Sequence, residues 1–247
     1  MPNYSNFRQV LNDLENLIHD IEVVRQRLVR ESGIPYGSQD ARQVALEGLQ
    51  CDIGACGNWI KALMSLKSVC QGSFGVIWEA KYRELIGTRL DSGPAEDLML
   101  DYLRNTLPTK IHFKIENLFS NILKALSSSP LRGFWRISDA MLQQAGISTT
   151  GDEKARLAAL ANLRNSFHTN GMHGNDNASV DVDGTKFEFC KGTRVQCASW
   201  KHILVIVRSN ISVVEQILFS TPVSNHSSEI ADDFASGGRE VDVGRTD

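Results

Sequence analysis

The sequence contains no stretch of the kind that directs a chain into or across a membrane. Its first residues, MPNYSNFRQV, hold neither a cationic region nor an apolar run, and no apolar run anywhere approaches the ~20 residues that span a bilayer. A Gly-rich phosphate loop, a GxSxG elbow and an HExxH metal motif are also missing. These absences disfavour several common enzyme classes and predict a cytoplasmic protein with no membrane partner.

Cysteine is scarce and poorly placed for structural chemistry. The five cysteines are an odd number without a close pair, which is typical of reduced thiols rather than a disulfide framework. A zinc site can be drawn from His168, His173, Cys190 and Cys197. However, the six residues between the two cysteines exceed the roughly two to four that structural zinc sites use. We therefore expect neither a metal nor another cofactor.

Charge is small overall but uneven along the chain. The formal net charge is −3 at pH 7, and acidic side chains outnumber basic ones from Pro222 onward. This polar stretch predicts a disordered acidic tail over residues 222–247. Basic residues dominate positions 102–138, where Lys110 and Lys114 are candidates for binding phosphate. A solvated helical face explains the same surplus and is the favoured interpretation, because charge runs alone are unspecific.

Apolar residues at spacings of three and four predict a long N-terminal helical hairpin. The first seam predicts a helix over residues 4–31, the segment Gly33–Gly37 ends it, and a second seam follows. The seams consist of Phe7, Val10, Leu14, Leu17, Ile21, Val24 and Leu28, then of Leu49, Ile53, Cys56, Ile60 and Leu63. A break at Asp91–Pro94 predicts a boundary between a hairpin region, residues 1–92, and a second region, residues 93–221.

Further helices are predicted on both sides of this break. Their ranges are 76–87, 94–106, 110–127, 137–145 and 151–169, with Pro108 interrupting the second and third. Thr150 with Glu153 has the form of a capping box, and Asn170-Gly171 suits a left-handed helix end. The spacing therefore predicts a bundle of helices joined by short loops.

The period then changes from that of a helix to that of a strand. Val180 and Val182 alternate, Asp183-Gly184 forms a hairpin turn signal, and Phe187 and Phe189 alternate back. A third short strand over 191–195 would complete a meander near residues 179–196. Ser199 then caps a final helix that ends near Leu218. The fold class is thus all-α, with a small β-hairpin before the last helix.

One helical turn near the end of the 151–169 helix carries the most informative polar side chains. Arg164 and His168 lie one turn apart at the shoulder of the apolar stripe, and Asn165 lies on the solvent side. A permanent cation, an imidazole and an amide suit phosphate chemistry. The structural alternative is an arginine that bonds carbonyls across the bundle and a histidine that caps its own helix.

The string Leu163-Arg-Asn-Ser-Phe-His-Thr-Asn-Gly171 resembles the RN…H signature of HEPN domains, which are helical domains of RNA-cleaving toxins and bacterial defence systems. The resemblance extends in its order of elements over roughly 95–221, and the N-terminal hairpin is not covered. It implies metal-independent RNA cleavage at the interface of a homodimer, in a toxin or phage-defence context with a possible partner protein.

Mapped onto this sequence, the resemblance implies roles for individual residues. Arg164 would hold the scissile phosphate, Asn165 would orient the site, and His168 would transfer a proton. Asn170 and His173 join Lys110 and Lys114 as binding candidates. The spacing from Arg164 to His168 is shorter than in most of the family. Two hypotheses therefore stand: an endoribonuclease, and a non-catalytic RNA-binding, nucleotide-binding or protein-interaction module.

Overall fold

The computed structural model describes residues 5–69, 95–127 and 131–233. Within these ranges the chain forms helices and one two-stranded antiparallel sheet, so the predicted all-α class with a small hairpin is confirmed. The elements are α1 (Ser5–Ser32), α2 (Ala41–Val69), α3 (Ala95–Ser127), α4 (Phe134–Gln144), α5 (Asp152–His168), β1 (Ala178–Val182), β2 (Thr185–Phe189), α6 (Trp200–Leu218) and α7 (Thr221–Ser224).

Helices α1 and α2 form the predicted hairpin because each carries a continuous apolar seam. Every residue that the spacing assigned to these two seams is buried. The hairpin is not a separate body, since its buried residues belong to the same core as those of α3, α5 and α6. The predicted helix over 76–87 and the break at Asp91–Pro94 lie outside the described residues.

Helix α3 is continuous where the sequence predicted two helices. Pro108 lies inside it and removes a backbone N–H, a defect that costs about 3 kcal/mol in a helix interior. Leu107 and Ile111 are buried on either side of the proline, and burying such a side chain contributes about 1.5–3 kcal/mol each. Core packing therefore outweighs the proline, and the predicted interruption is wrong.

The β-hairpin forms as the alternation predicted. Val182 pairs with Thr185, and the two turn residues between them, Asp183 and Gly184, have φ of 51° and 73°. Two left-handed residues in succession are what a tight type I′ turn requires. The predicted third strand is absent from the described chain. The segment over 191–195 instead makes one isolated bridge, between Met172 and Arg194.

The two predicted N-caps have different outcomes. Ser199 caps α6 by accepting a hydrogen bond from the backbone N–H of His202. Thr150 does not cap α5, because its own N–H donates to Ser148 Oγ, and Gly151 occupies the cap position without a side chain. The turn that Ser148 stabilises therefore moves the cap by one residue, from Thr150 to Gly151, and the helix begins at Asp152.

Ser199→Ala is expected to lower the free energy of unfolding by about 1 kcal/mol, the usual effect of losing a Ser cap. Thr150→Ala is the matched control and should change it by less than about 0.5 kcal/mol. Chemical denaturation of the two variants measures both values. A larger loss at Thr150 than at Ser199 would mean that the caps are assigned the wrong way round.

The C-terminal segment is ordered as far as Asp233, so the predicted disordered tail is wrong for residues 222–233. Val223 and Ile230 are buried, and the backbone at Ala231 bridges to Asp40. Two apolar anchors and a backbone bridge offset the polar composition on which the prediction rested. Residues 234–247 lie outside the described residues.

No helix in the described ranges is both long enough and apolar enough to cross a membrane.

Candidate functional site

Helix α5 sets the position of the predicted Arg-His pair. Leu157, Leu160 and Leu163 are fully buried and fix the rotation of the helix about its axis. Arg164 consequently lies at the edge of the core and is half-buried, whereas His168, one turn later, is exposed. The structure thus places Arg164 at the shoulder of the apolar stripe, as the sequence predicted, whereas His168 lies further toward the solvent than predicted.

The Arg164 guanidinium is held on two sides and still has a donor to offer. Its Cζ lies 4.8 Å from the ring centroid of Phe113 on α3, a cation–π contact. Its Nη1 donates to Asn165 Oδ1 at 2.9 Å, so Asn165 orients the arginine. The buried Nε has no hydrogen-bond partner among the residues that the structure describes. A buried unpaired donor is costly. Arg164 as a whole is only half-buried, so the rest of its side chain remains open to an anion.

Two side chains that the sequence reasoning missed lie beside Arg164. His112 and Glu116 are four residues apart on α3, and His112 Nδ1 is 3.8 Å from Glu116 Oε2. His112 is only 3% exposed, and its ring stacks at 4.1 Å on Phe134 of α4. The spacing of four on a helix was the available signal, but it could not show that this face of α3 meets α5.

Burial and neighbouring charge decide the ionisation of this pair. Burial lowers the pKa of His112 to about 3, and the positive charges of Arg164 and His168 act in the same direction. Burial also raises the pKa of Glu116, which the charge of Arg164 opposes. His112 is therefore neutral at physiological pH, and its contact with Glu116 is not an ion pair.

His112→Phe is expected to make the protein less sensitive to acid. The unfolded chain binds a proton at His112 near pH 6.5, whereas the folded chain binds it only near pH 3. The unfolded state therefore holds the extra proton between these values, and stability falls as the pH drops. The slope for one proton is up to about 1.4 kcal/mol per pH unit.

Denaturation of both proteins between pH 7 and pH 4 measures this difference. The phenylalanine keeps a ring against Phe134, so the variant should retain its stability at neutral pH. Parallel loss of stability with falling pH in both proteins would contradict the buried neutral state of His112.

Lys110 and Lys114 lie apart from the Arg164 cluster, which consists of Arg164, His168, Phe113, His112 and Glu116. They face α2, where Lys110 Nζ lies 2.9 Å from Asp52 Oδ1. The Lys114 side chain crosses Gly48, and its Nζ lies 2.8 Å from where a Cβ would stand. A bulkier residue at 48 would displace it. The two lysines therefore occupy a different face of α3 from His112 and Glu116.

The residues after α5 terminate the helix and bond one of its free carbonyls. Asn170 and Gly171 take left-handed backbone conformations, with φ of 54° and 83°, and the Gly171 N–H donates to the carbonyl of Ser166 at 2.8 Å. The predicted left-handed helix end is confirmed. Asn170 remains exposed and accessible to a ligand.

The position of His173 does not suit the binding role that was predicted for it. It is 1% exposed, its Nδ1 lies 3.2 Å from Ser166 Oγ, and its Nε2 lies 3.0 Å from the Asp176 carbonyl. Both ring nitrogens are thus engaged within the protein. The cause is the return of the chain onto the hairpin, where the His173 ring packs at 5.3 Å on Phe189.

Comparison with models of known protein families, with curated proteins and with solved structures gives no match. Within the described chain, no group of three or more His, Cys, Asp or Glu side chains is arranged to hold a metal ion.

Proposed function

We propose that this protein is a HEPN-like endoribonuclease whose working groups are Arg164 and His168. The observation that carries the proposal is their arrangement on one turn of α5: a half-buried guanidinium held in place by Phe113 and Asn165, beside an exposed imidazole. The resemblance of the surrounding segment to the RN…H signature supplies the reaction class. It also supplies the toxin or phage-defence context and a partner protein from such a system.

The reaction requires no group beyond those of the RNA and the site. The 2′-hydroxyl of one nucleotide attacks the adjacent phosphorus, and the bond to the 5′-oxygen of the next nucleotide breaks. The products are a 2′,3′-cyclic phosphate and a 5′-hydroxyl. One proton leaves the attacking oxygen and one reaches the departing oxygen. Proton transfer by a positioned side chain accelerates such steps by ~10²–10⁴-fold.

Each residue takes one role in this scheme. Arg164 binds the non-bridging phosphate oxygens and stabilises the charge that grows on them. Asn165 keeps the guanidinium oriented through its 2.9 Å hydrogen bond. His168 is exposed and therefore able to reach the RNA, where it gives or accepts the proton. Glu116, half-buried beside His112, limits the net positive charge of the site.

A homodimer follows from the same resemblance, and the surface beside Arg164 supports it. Phe113 carries the guanidinium on one side of its ring and is 46% exposed. A second copy that covered this aromatic ring would also desolvate Arg164 and strengthen its hold on a phosphate.

The test is cleavage of a diverse RNA pool in the presence of chelator. Wild-type protein is expected to cut, and Arg164→Ala and His168→Ala are expected not to. Arg30→Ala and His19→Ala, at exposed positions of α1, are matched controls that should cut normally. If wild-type protein binds RNA but leaves it intact, also with a cognate activator present, the enzyme proposal is wrong and a binding module remains.

A further inference from the structure

A cleft lies away from Arg164 and His168. It is a cleft of about 580 Å³ between the first turns of α1, the first part of α3 and the start of α6. Small-molecule sites in proteins typically enclose roughly 300–1,000 Å³, so the cleft has the size of a ligand site. It shares no lining residue with the cluster around Arg164.

The interior of the cleft is mainly apolar. Phe7 and Val10 of α1 and Leu204 of α6 line it, and each is at least nine-tenths buried. Trp200 and Val205 line it as well and are half-buried. These side chains offer an apolar ligand body a surface already largely removed from water, so little reorganisation is needed for binding.

Cationic side chains from two different elements also line the cleft. Lys201 and Arg208 come from α6, and Arg104 comes from α3. One carboxylate in the lining, Asp13, lies 3.7 Å from Arg208 and offsets that charge. Arg104 has a carboxylate partner on its own helix, Asp101, whereas Lys201 makes no ion pair within the described chain.

Arg104 is positioned at the cleft by a partner on its own helix. Its Nη2 lies 2.9 Å from Asp101, and its side chain is 29% exposed, so part of it remains open to a ligand. The cleft also includes Ser199, the cap of α6, where the free N–H groups of a helix start favour negative charge. A negative group in the cleft would therefore meet cationic and dipolar partners together.

We propose that this cleft binds an amphiphilic carboxylate. Its apolar body rests on Phe7, Val10 and Leu204, and its carboxylate lies between Arg104 and Lys201. An apolar floor by itself would take any hydrophobic molecule, whereas the two cations select an anion. The proposal does not rest on the ribonuclease activity, because the two sites have no residue in common.

The test uses laurate as the probe and dodecanol as its uncharged counterpart. Both compete with the fluorescent anion 1-anilinonaphthalene-8-sulfonate for the full-length protein, below the micelle concentration of laurate. Laurate is expected to bind about tenfold or more tightly than dodecanol, because a hydrogen bond to a charged group contributes about 1.5–3 kcal/mol. Arg104→Gln should remove most of this difference and leave dodecanol binding unchanged.

Two variants keep the test specific. Arg30→Gln removes the same charge at an exposed position of α1 and should bind laurate as wild type does. Val205→Trp fills the cleft and should abolish binding of both compounds, while its thermal unfolding shows that it still folds. Equal binding of laurate and dodecanol, no binding of laurate, or wild-type binding by folded Val205→Trp would each overturn the proposal.

Discussion

Arg42→Ala is expected to destabilise the protein by about 3–5 kcal/mol, because it leaves a buried carboxylate without its partner. Arg42 Nη2 lies 2.8 Å from Asp40 Oδ2, and the two side chains are 1% and 3% exposed. Burial raises the pKa of Asp40, but hydrogen bonds from Arg42 and from the Ile230 N–H outweigh it and hold the pKa below its usual 3.8. The Asp40 carboxylate is therefore ionised although it is buried, and it needs the positive charge of Arg42 to be stable there.

The same arginine also holds the C-terminal segment. Its Nη1 donates to the carbonyls of Val223 and His226, and its Nη2 donates to that of Ser228. Loss of Arg42 thus leaves these three carbonyls without their hydrogen-bond donor and removes the side chain that holds the chain beyond α6 in place. Truncation after Thr221 removes the same contacts and should be similarly damaging.

Thermal unfolding measures both changes. For a chain of this size, 1 kcal/mol corresponds to roughly 2–4 °C, so the midpoint should fall by about 6–20 °C. Arg30→Ala, whose side chain is 71% exposed, is the control and should leave the midpoint within about 2 °C. If the truncated protein unfolds at the wild-type temperature, the docking of residues 222–233 does not stabilise the fold.

The second large effect is on catalysis. Arg164→Ala and His168→Ala are each expected to slow RNA cleavage by about 10²–10⁴-fold, the range for losing a proton-transfer or charge-stabilising group. The double variant should be little worse than either single one, since groups that act as a unit are not additive. Single-turnover cleavage rates of the four proteins give the comparison.

Arg164→Lys separates charge from geometry in the same assay. Lysine keeps the positive charge but loses the planar fork that Asn165 orients, so it should recover only part of the activity. A merely structural Arg-His pair predicts a different pattern. Both alanine variants would then lose about 1–3 kcal/mol of stability, and their cleavage would fall only in proportion to the unfolded fraction.

Regular elements were predictable because their signals are local. The seam from Phe7 to Leu28 predicted α1, and Asp183-Gly184 predicted the β-turn. Both elements form through contacts between residues that are close together in the sequence. The continuity of α3 through Pro108 depends on packing from other elements. The ordered segment over 222–233 depends on Arg42, which lies about 180 residues earlier in the chain. Neither the packing around Pro108 nor the hydrogen bonds of Arg42 can be predicted from local sequence or composition.

The candidate site likewise has one part that was predictable from the sequence and one part that was not. The relation between Arg164 and His168 follows from helical geometry and was predictable within one element. Phe113, His112 and Glu116 join them only because α3 packs against α5, which the sequence does not show. His173 is adjacent in sequence to the site but points into the core, because the chain turns back on the hairpin after Gly171.

The chemistry of the RNA ends tests the central claim most directly. RNA cut by wild-type protein in chelator should carry 2′,3′-cyclic phosphate ends, and a single 2′-deoxy nucleotide at a mapped cleavage position should abolish cutting there. Arg164→Ala should leave both substrates intact. Cleavage that persists at the 2′-deoxy position, or that persists in Arg164→Ala, would contradict a mechanism in which the 2′-hydroxyl attacks a phosphate held by Arg164.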